Sequence, residues 1–183
     1  MLLEEKQEQE IIIRAQEDPE NFAPLYDYYL PKIHNYIYHR VHNVQLAEDL
    51  VAETFYKALA NIKRFEWQQR TFACWLYTIA RNQVIDHFRK KTPVLAENAD
   101  LDGRAADDNP EEMVMQEATK EELLGAIKTL SPDQQDALLL RFQEDLKIKE
   151  IAEILGRNEG AVKALLFRGL KSLRRKLEGE GYR

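Results

Sequence analysis

The chain has 183 residues, 44% of them hydrophobic and 32% charged, with a formal net charge of −6. That length suits one ordinary domain or two small ones, and the composition is globular rather than disordered. No apolar run approaches the roughly 20 residues of a spanning helix, and one cysteine, Cys74, cannot form an internal disulfide. Residues 1–10 are acidic where a signal peptide is basic and then apolar, so a cytoplasmic location without membrane insertion is expected.

Charge is segregated along the chain. Residues 1–30 carry 8 acids and 2 bases, and residues 92–124 carry 10 acids and 2 bases. Between and after them, residues 61–91 hold 7 bases and 2 acids, and residues 156–183 hold 8 bases and 3 acids. Basic stretches attract phosphates and acidic ones repel them or meet basic proteins. Solvated helix faces would produce the same segregation.

With only 7 glycines and 6 prolines, and no alternating strand pattern, the chain reads as helical throughout. Asp18-Pro19 marks a helix start, with Asp as cap and Pro in the first turn. After Pro31 a helical segment carries Ile33, Ile37 and Val41, and His42-Asn43 breaks it. Five of the eight tyrosines lie between 26 and 38 and read as a packed helix interface. The next helix carries Leu46, Leu50, Val51, Phe55, Ala58, Leu59 and Ile62 on one stripe. Its opposite face holds Glu48, Asp49, Glu53 and Lys57. Residues 61–69 form a polar connector. Thr71 caps a further helix with Phe72, Trp75, Leu76, Ile79, Ala80 and Ile85 inward, ending in Arg89-Lys90-Lys91.

Residues 93–112 have linker composition, rich in acids and in Asp-Gly and Asn-Pro turns. A helix is expected from about Met113 to Leu130. Ser131-Pro132-Asp133-Gln134 is a capping box that starts the next one, which runs to about Gln143. Ile148, Ile151, Ala152 and Leu155 form the inner face of a short helix that Gly156 ends. Asn158 caps the last helix. Val162, Leu165, Leu166, Leu170, Leu173 and Leu177 line its apolar side, and Lys163, Arg168, Lys171, Arg174 and Arg175 its basic side. Two helices joined by a tight glycine turn, the second basic, have the form of a helix-turn-helix. The DNA-facing candidates are Arg157, Glu159, Lys163, Ala164, Phe167, Arg168 and Lys171, since Lys and Arg reach phosphates and guanine edges. An ordinary helical hairpin with a solvated basic face is the alternative.

The four histidines lack metal-ligand spacing, and the chain has neither a glycine-rich phosphate loop nor a Gly-x-Ser-x-Gly elbow. No cofactor, metal or catalytic constellation is therefore expected.

Several motifs together resemble the extracytoplasmic-function (ECF) group of the sigma-70 family. Leu130-Ser-Pro-Asp-Gln-Gln, Ile148-Lys-Glu-Ile-Ala-Glu-Ile-Leu-Gly156, Glu159-Gly-Ala-Val-Lys163 and Arg168-Gly-Leu-Lys-Ser-Leu-Arg174 are similar to that family's region four. Ala47-Glu-Asp-Leu-Val-Ala-Glu-Thr-Phe55 resembles its polymerase-binding helix, and Phe72-Ala-Cys-Trp-Leu-Tyr-Thr-Ile-Ala-Arg-Asn82 its promoter-melting helices. The resemblance implies an all-α fold of two small domains. An acidic helical segment (1–21) precedes a region-two-like domain (22–91), and an acidic linker (92–114) leads to a region-four-like domain (115–179).

By the same resemblance, Glu48, Asp49 and Glu53 meet the basic clamp helices of core RNA polymerase. Arg64, Arg70, Trp75, Asn82, Asp86, Arg89 and Lys90 serve minus-ten recognition and melting. Arg157 to Lys171, as named above, read the minus-thirty-five element. Trp75 reads equally as core, since it falls within an apolar stripe. Promoter DNA, core polymerase and an anti-sigma factor are the implied partners. Three departures stand out. Ala52 replaces a usual Gln, which implies a missing polar core contact. Ala161 stands where Ser or Thr is common and Leu165 where Arg is common, and both bear on which minus-thirty-five sequence is read. An autonomous helix-turn-helix regulator and a helical adaptor that never touches DNA are the competing readings.

Overall fold

A computed structural model describes residues 5–67, 70–91 and 120–180, which form helices and turns without a strand. The chain divides into two compact units, Met1–Val94 and Leu95–Arg183. The acidic linker and the start of the helix expected near Met113 lie outside the described residues.

The first unit holds four helices: α1 (Glu5–Glu17), α2 (Ala23–Val41), α3 (Val44–Asn61) and α4 (Phe72–Lys91). The Asp18 carboxylate accepts from the Glu20 N–H at 3.1 Å and starts a 3₁₀ turn, Pro19–Phe22, that leads into α2. α2 runs unbroken through Pro31. A proline costs a helix one hydrogen bond and crowds the preceding turn. Here Leu25 and Tyr29 before it and Ile33 after it are all buried, so packing on both sides holds one helix where the sequence pattern suggested a new segment. His42 ends α2 in the left-handed conformation (φ 51°), its N–H donating to the Tyr38 carbonyl at 2.8 Å. Asn43 then caps α3, accepting from the Leu46 N–H at 2.8 Å, and Thr71 caps α4, its hydroxyl accepting from the Cys74 N–H at 3.2 Å.

The core of this unit is aromatic. Phe72 has no exposed surface and its ring meets Phe22, Tyr29, Phe65 and Trp75 at centroid distances of 5.4–6.3 Å. Tyr36 and Tyr77 meet edge to face at 5.5 Å. These are the offsets aromatic quadrupoles favour. On α4 the inner stripe includes Val84 rather than Ile85: Val84 is fully buried, and Ile85 is 37% exposed. Ala52 is exposed as well, so the missing glutamine there removes a surface group and not a core contact.

α1 is part of this unit and not a separate acidic segment. Ile12 and Ala15 are buried, and the Gln16 side chain bonds the backbone after α3. Glu8 is buried with Tyr29, whose hydroxyl donates to its carboxylate at 2.5 Å. Burial raises the Glu8 pKa from its ordinary 4.5, with Glu5 adding to the rise, while the Tyr29 bond and Lys32 oppose it. A carboxyl whose folded pKa is raised binds its proton more tightly in the native state. Its contribution to stability is full below about pH 4.5 and is lost as pH rises through the folded pKa. Glu8→Gln keeps an acceptor for Tyr29 without a charge. It should raise the melting temperature at pH 7 and change it little near pH 4; calorimetry at the two pH values checks this.

The second unit contains α5 (Lys120–Ile127), α6 (Pro132–Leu138), α7 (Ile148–Leu155) and α8 (Glu159–Glu180). Gln135, buried at the start of α6, donates to the carbonyls of Lys128 and Leu130 and so satisfies the turn between α5 and α6. Gln134 accepts from the Ser131 N–H at 3.2 Å, the reach-back half of the expected capping box. α6 continues as a π-turn over Leu139–Gln143. α8 then crosses α6 closely: a Cβ on Gly169 would lie 2.9 Å from a Leu138 methyl, so a larger residue there requires the Leu138 side chain to shift.

Candidate nucleic-acid interface

The turn between α7 and α8 is built by local chemistry. Gly156 takes φ 63°, a conformation that costs a residue without Cβ nothing. The Arg157 N–H donates to the Ala152 carbonyl at 2.9 Å, and the Asn158 side chain accepts from the Ala161 N–H at 2.7 Å. Ile151, Ile154, Leu155, Val162, Leu166 and Leu173 are buried and lock the two helices together.

This frame sorts the DNA-facing candidates. Glu159, Lys163 and Lys171 are exposed; Phe167 and Arg168 are half-buried. Glu159, Lys163, Phe167 and Lys171 recur every four residues and therefore share a face of α8. Arg174 and Arg175 extend the exposed basic surface toward the C-terminus. Ala164 is only 8% exposed, so its methyl offers little for a base edge to touch. Leu165 is also 8% exposed, which makes the departure at that position a packing choice.

Arg157 is committed elsewhere. Its guanidinium pairs with the Asp133 carboxylate at 2.5 Å, both side chains about one-third exposed or less, which ties the turn to the start of α6. A pair intermediate between exposed and buried is worth about 1–2 kcal/mol. Arg157→Ala should therefore loosen the second unit by that amount, seen as faster amide exchange in α7 and the first turns of α8. A residue serving DNA alone would leave exchange in the free protein unchanged.

In the first unit, α3 presents Glu48, Asp49 and Glu53 to solvent, and Glu53 pairs with Lys57 at 3.5 Å. Ala52 and Tyr56 lie on the same face, Tyr56 with 69% of its surface exposed. Tyr56 is absent from the sequence candidates, although its spacing from Glu48, Asp49 and Glu53 puts it on that face. On α4, Asn82, Arg89 and Lys90 are exposed and Asp86 is half-buried, holding Arg89 at 3.1 Å. Ile85, expected inward from the sequence, joins this surface, as does Phe88 (42% exposed), which the sequence candidates did not include. Arg64 is exposed on a 3₁₀ turn, Ile62–Arg64, and Arg70 is half-buried before α4. Trp75 is 7% exposed and packs on Phe65 at 5.2 Å and on Phe72 at 5.6 Å, so it is a core residue of this unit. The half-buried Trp67, on the connector itself, is the aromatic nearer the surface. Among the described residues no acid, histidine and cysteine group could hold a metal, and no helix is long and apolar enough to cross a membrane.

The profile of Sigma-70 region 2 matches residues 25–93 and that of Sigma-70, region 4 matches residues 120–173. The chain is 40% identical to the ECF RNA polymerase sigma factor BldN of Streptomyces coelicolor over 92% of its own length, spanning 65% of that relative. It is 34% identical to the ECF RNA polymerase sigma factor SigW of Bacillus subtilis, over 87% of this chain and 90% of the relative. The sigma factor RpoE of Bartonella quintana, solved with the anti-sigma factor NepR, shares the fold at a TM-score of 0.68 and 24% identity, over 87% of this chain and 98% of that one. An acidic, solvent-facing helix in one unit and a basic helix-turn-helix in the other thus fall within the two matched regions, and the chain belongs to the ECF group of the sigma-70 family of RNA polymerase sigma factors.

Proposed function

We propose that the chain binds core RNA polymerase through the exposed face of α3, directs it to promoters with two sequence elements, and helps to open the DNA. The observation that carries this reading is the division of labour between units. One offers Glu48, Asp49 and Glu53 to a basic protein surface, and the other offers Lys163, Arg168 and Lys171 to phosphates. Arg64, Arg70, Asn82, Asp86, Arg89 and Lys90 lie along the minus-ten path. Promoter elements on separate turns of the duplex need two readers and a connector, and residues 92–114 supply the length. The net charge of −6 predicts weak DNA binding by the free chain, strengthened when polymerase holds both units. The place of action is the cytoplasm. RpoE of Bartonella quintana is held by an anti-sigma factor, and an inhibitor of that kind is the regulator proposed for this chain.

Run-off transcription with purified core polymerase on a library of promoter fragments tests the reading. Discrete transcripts that core alone does not make are the expected result, and their templates reveal the recognised elements. DNA retardation without polymerase, and no transcripts, would favour an autonomous regulator. Failure on both counts would favour an adaptor.

A further inference from the structure

Gln16 lies on α1, outside the residues 25–93 that match region 2. Its side-chain amide donates to two backbone carbonyls at once, Ile62 at 3.0 Å and Phe65 at 2.8 Å. One amide nitrogen carries two hydrogens, so both bonds form together. The two acceptors bracket Lys63 and Arg64, which are exposed between them. Ile62 and Phe65 are themselves 1% and 5% exposed, with the Phe65 ring against Trp75 and Phe72. The connector thus leaves α3 pinned at two points, its charged residues held outward. α1 is fixed independently by buried Ile12 and Ala15 and by the Tyr29–Glu8 bond.

We propose that Gln16 is a positioning residue for promoter opening: from a helix outside the region 2 match it sets the backbone that presents Arg64 to the DNA. The proposal rests on the reading of the connector as part of the melting surface. Its chemistry is specific. A glutamate at position 16 has the same shape but no donor, and it sets a negative charge against two carbonyl oxygens.

The test uses the full chain with core polymerase on a promoter obtained by run-off. The promoter is presented once as a duplex and once with its minus-ten element left unpaired by mismatches. Gln16→Glu and Gln16→Ala are compared with wild type, with Arg64→Ala in parallel. Loss of two hydrogen bonds should slow open-complex formation on the duplex about tenfold. The pre-opened template should restore the wild-type rate, with core affinity unchanged. Equal loss on both templates marks Gln16 as merely structural and overturns the proposal, as does wild-type opening by both Gln16 variants. Arg64→Ala separates the two levels. If it opens the duplex normally, the connector reading fails and the proposal goes with it. If it is impaired and the Gln16 variants are not, only the positioning role fails.

Discussion

Reversing Lys163, Arg168 and Lys171 to glutamate should abolish transcription from a two-element promoter while leaving binding to core polymerase intact. Each reversal replaces an attraction to phosphate with a repulsion. Three lost phosphate contacts are enough to cut DNA affinity on the order of 100-fold or more at physiological salt. Lys163 and Lys171 are exposed, so their reversal leaves the packing of α8 on α6 and α7 untouched. Arg168 is half-buried, and Arg168→Gln serves as the milder partner that separates charge from packing. Run-off transcription reads the first half of the prediction, and fluorescence anisotropy of the labelled chain on core polymerase reads the second. Normal transcript levels from the triple variant would return the adaptor reading to favour. Simultaneous loss of core binding would place these residues in the polymerase interface instead.

The converse variant carries the other large effect. Glu48→Lys, Asp49→Lys and Glu53→Lys together put three cations where a basic partner surface should dock, and like charges across an interface cost several kcal/mol. Core affinity should fall about 100-fold or more, largely through slower association, with the loss shrinking as salt screens the repulsion. The helix itself should survive, since all three residues face solvent and the buried stripe of α3 is untouched. Tyr56→Ala is the informative companion. An aromatic with 69% of its surface free is a common interface anchor, worth about 2 kcal/mol when a partner covers it. Wild-type core affinity in the triple variant would move the polymerase contact off α3.

What the sequence alone determined about this protein is its local punctuation and its helical faces. Asn43, Thr71, Gln134, Gly156 and Asn158 each act on backbone groups within four residues, so their roles can be read from neighbours in the chain. The exposed acids of α3 and exposed bases of α8 follow from a 3.6-residue period in the same way. The tertiary structure decided what depends on distant partners. Trp75 is core because Phe65 and Phe72 converge on it, and Arg157 is paired because Asp133 lies 24 residues earlier in the chain and close in space. Val84 is buried where Ile85 was expected because the choice rests on neighbouring helices and not on period alone. The docking of α1 was equally illegible. Its composition is acidic and solvent-like, yet Glu8 and Gln16 find their acceptors and donors on α2 and beyond α3, contacts spanning 21 to 49 residues that no periodicity encodes.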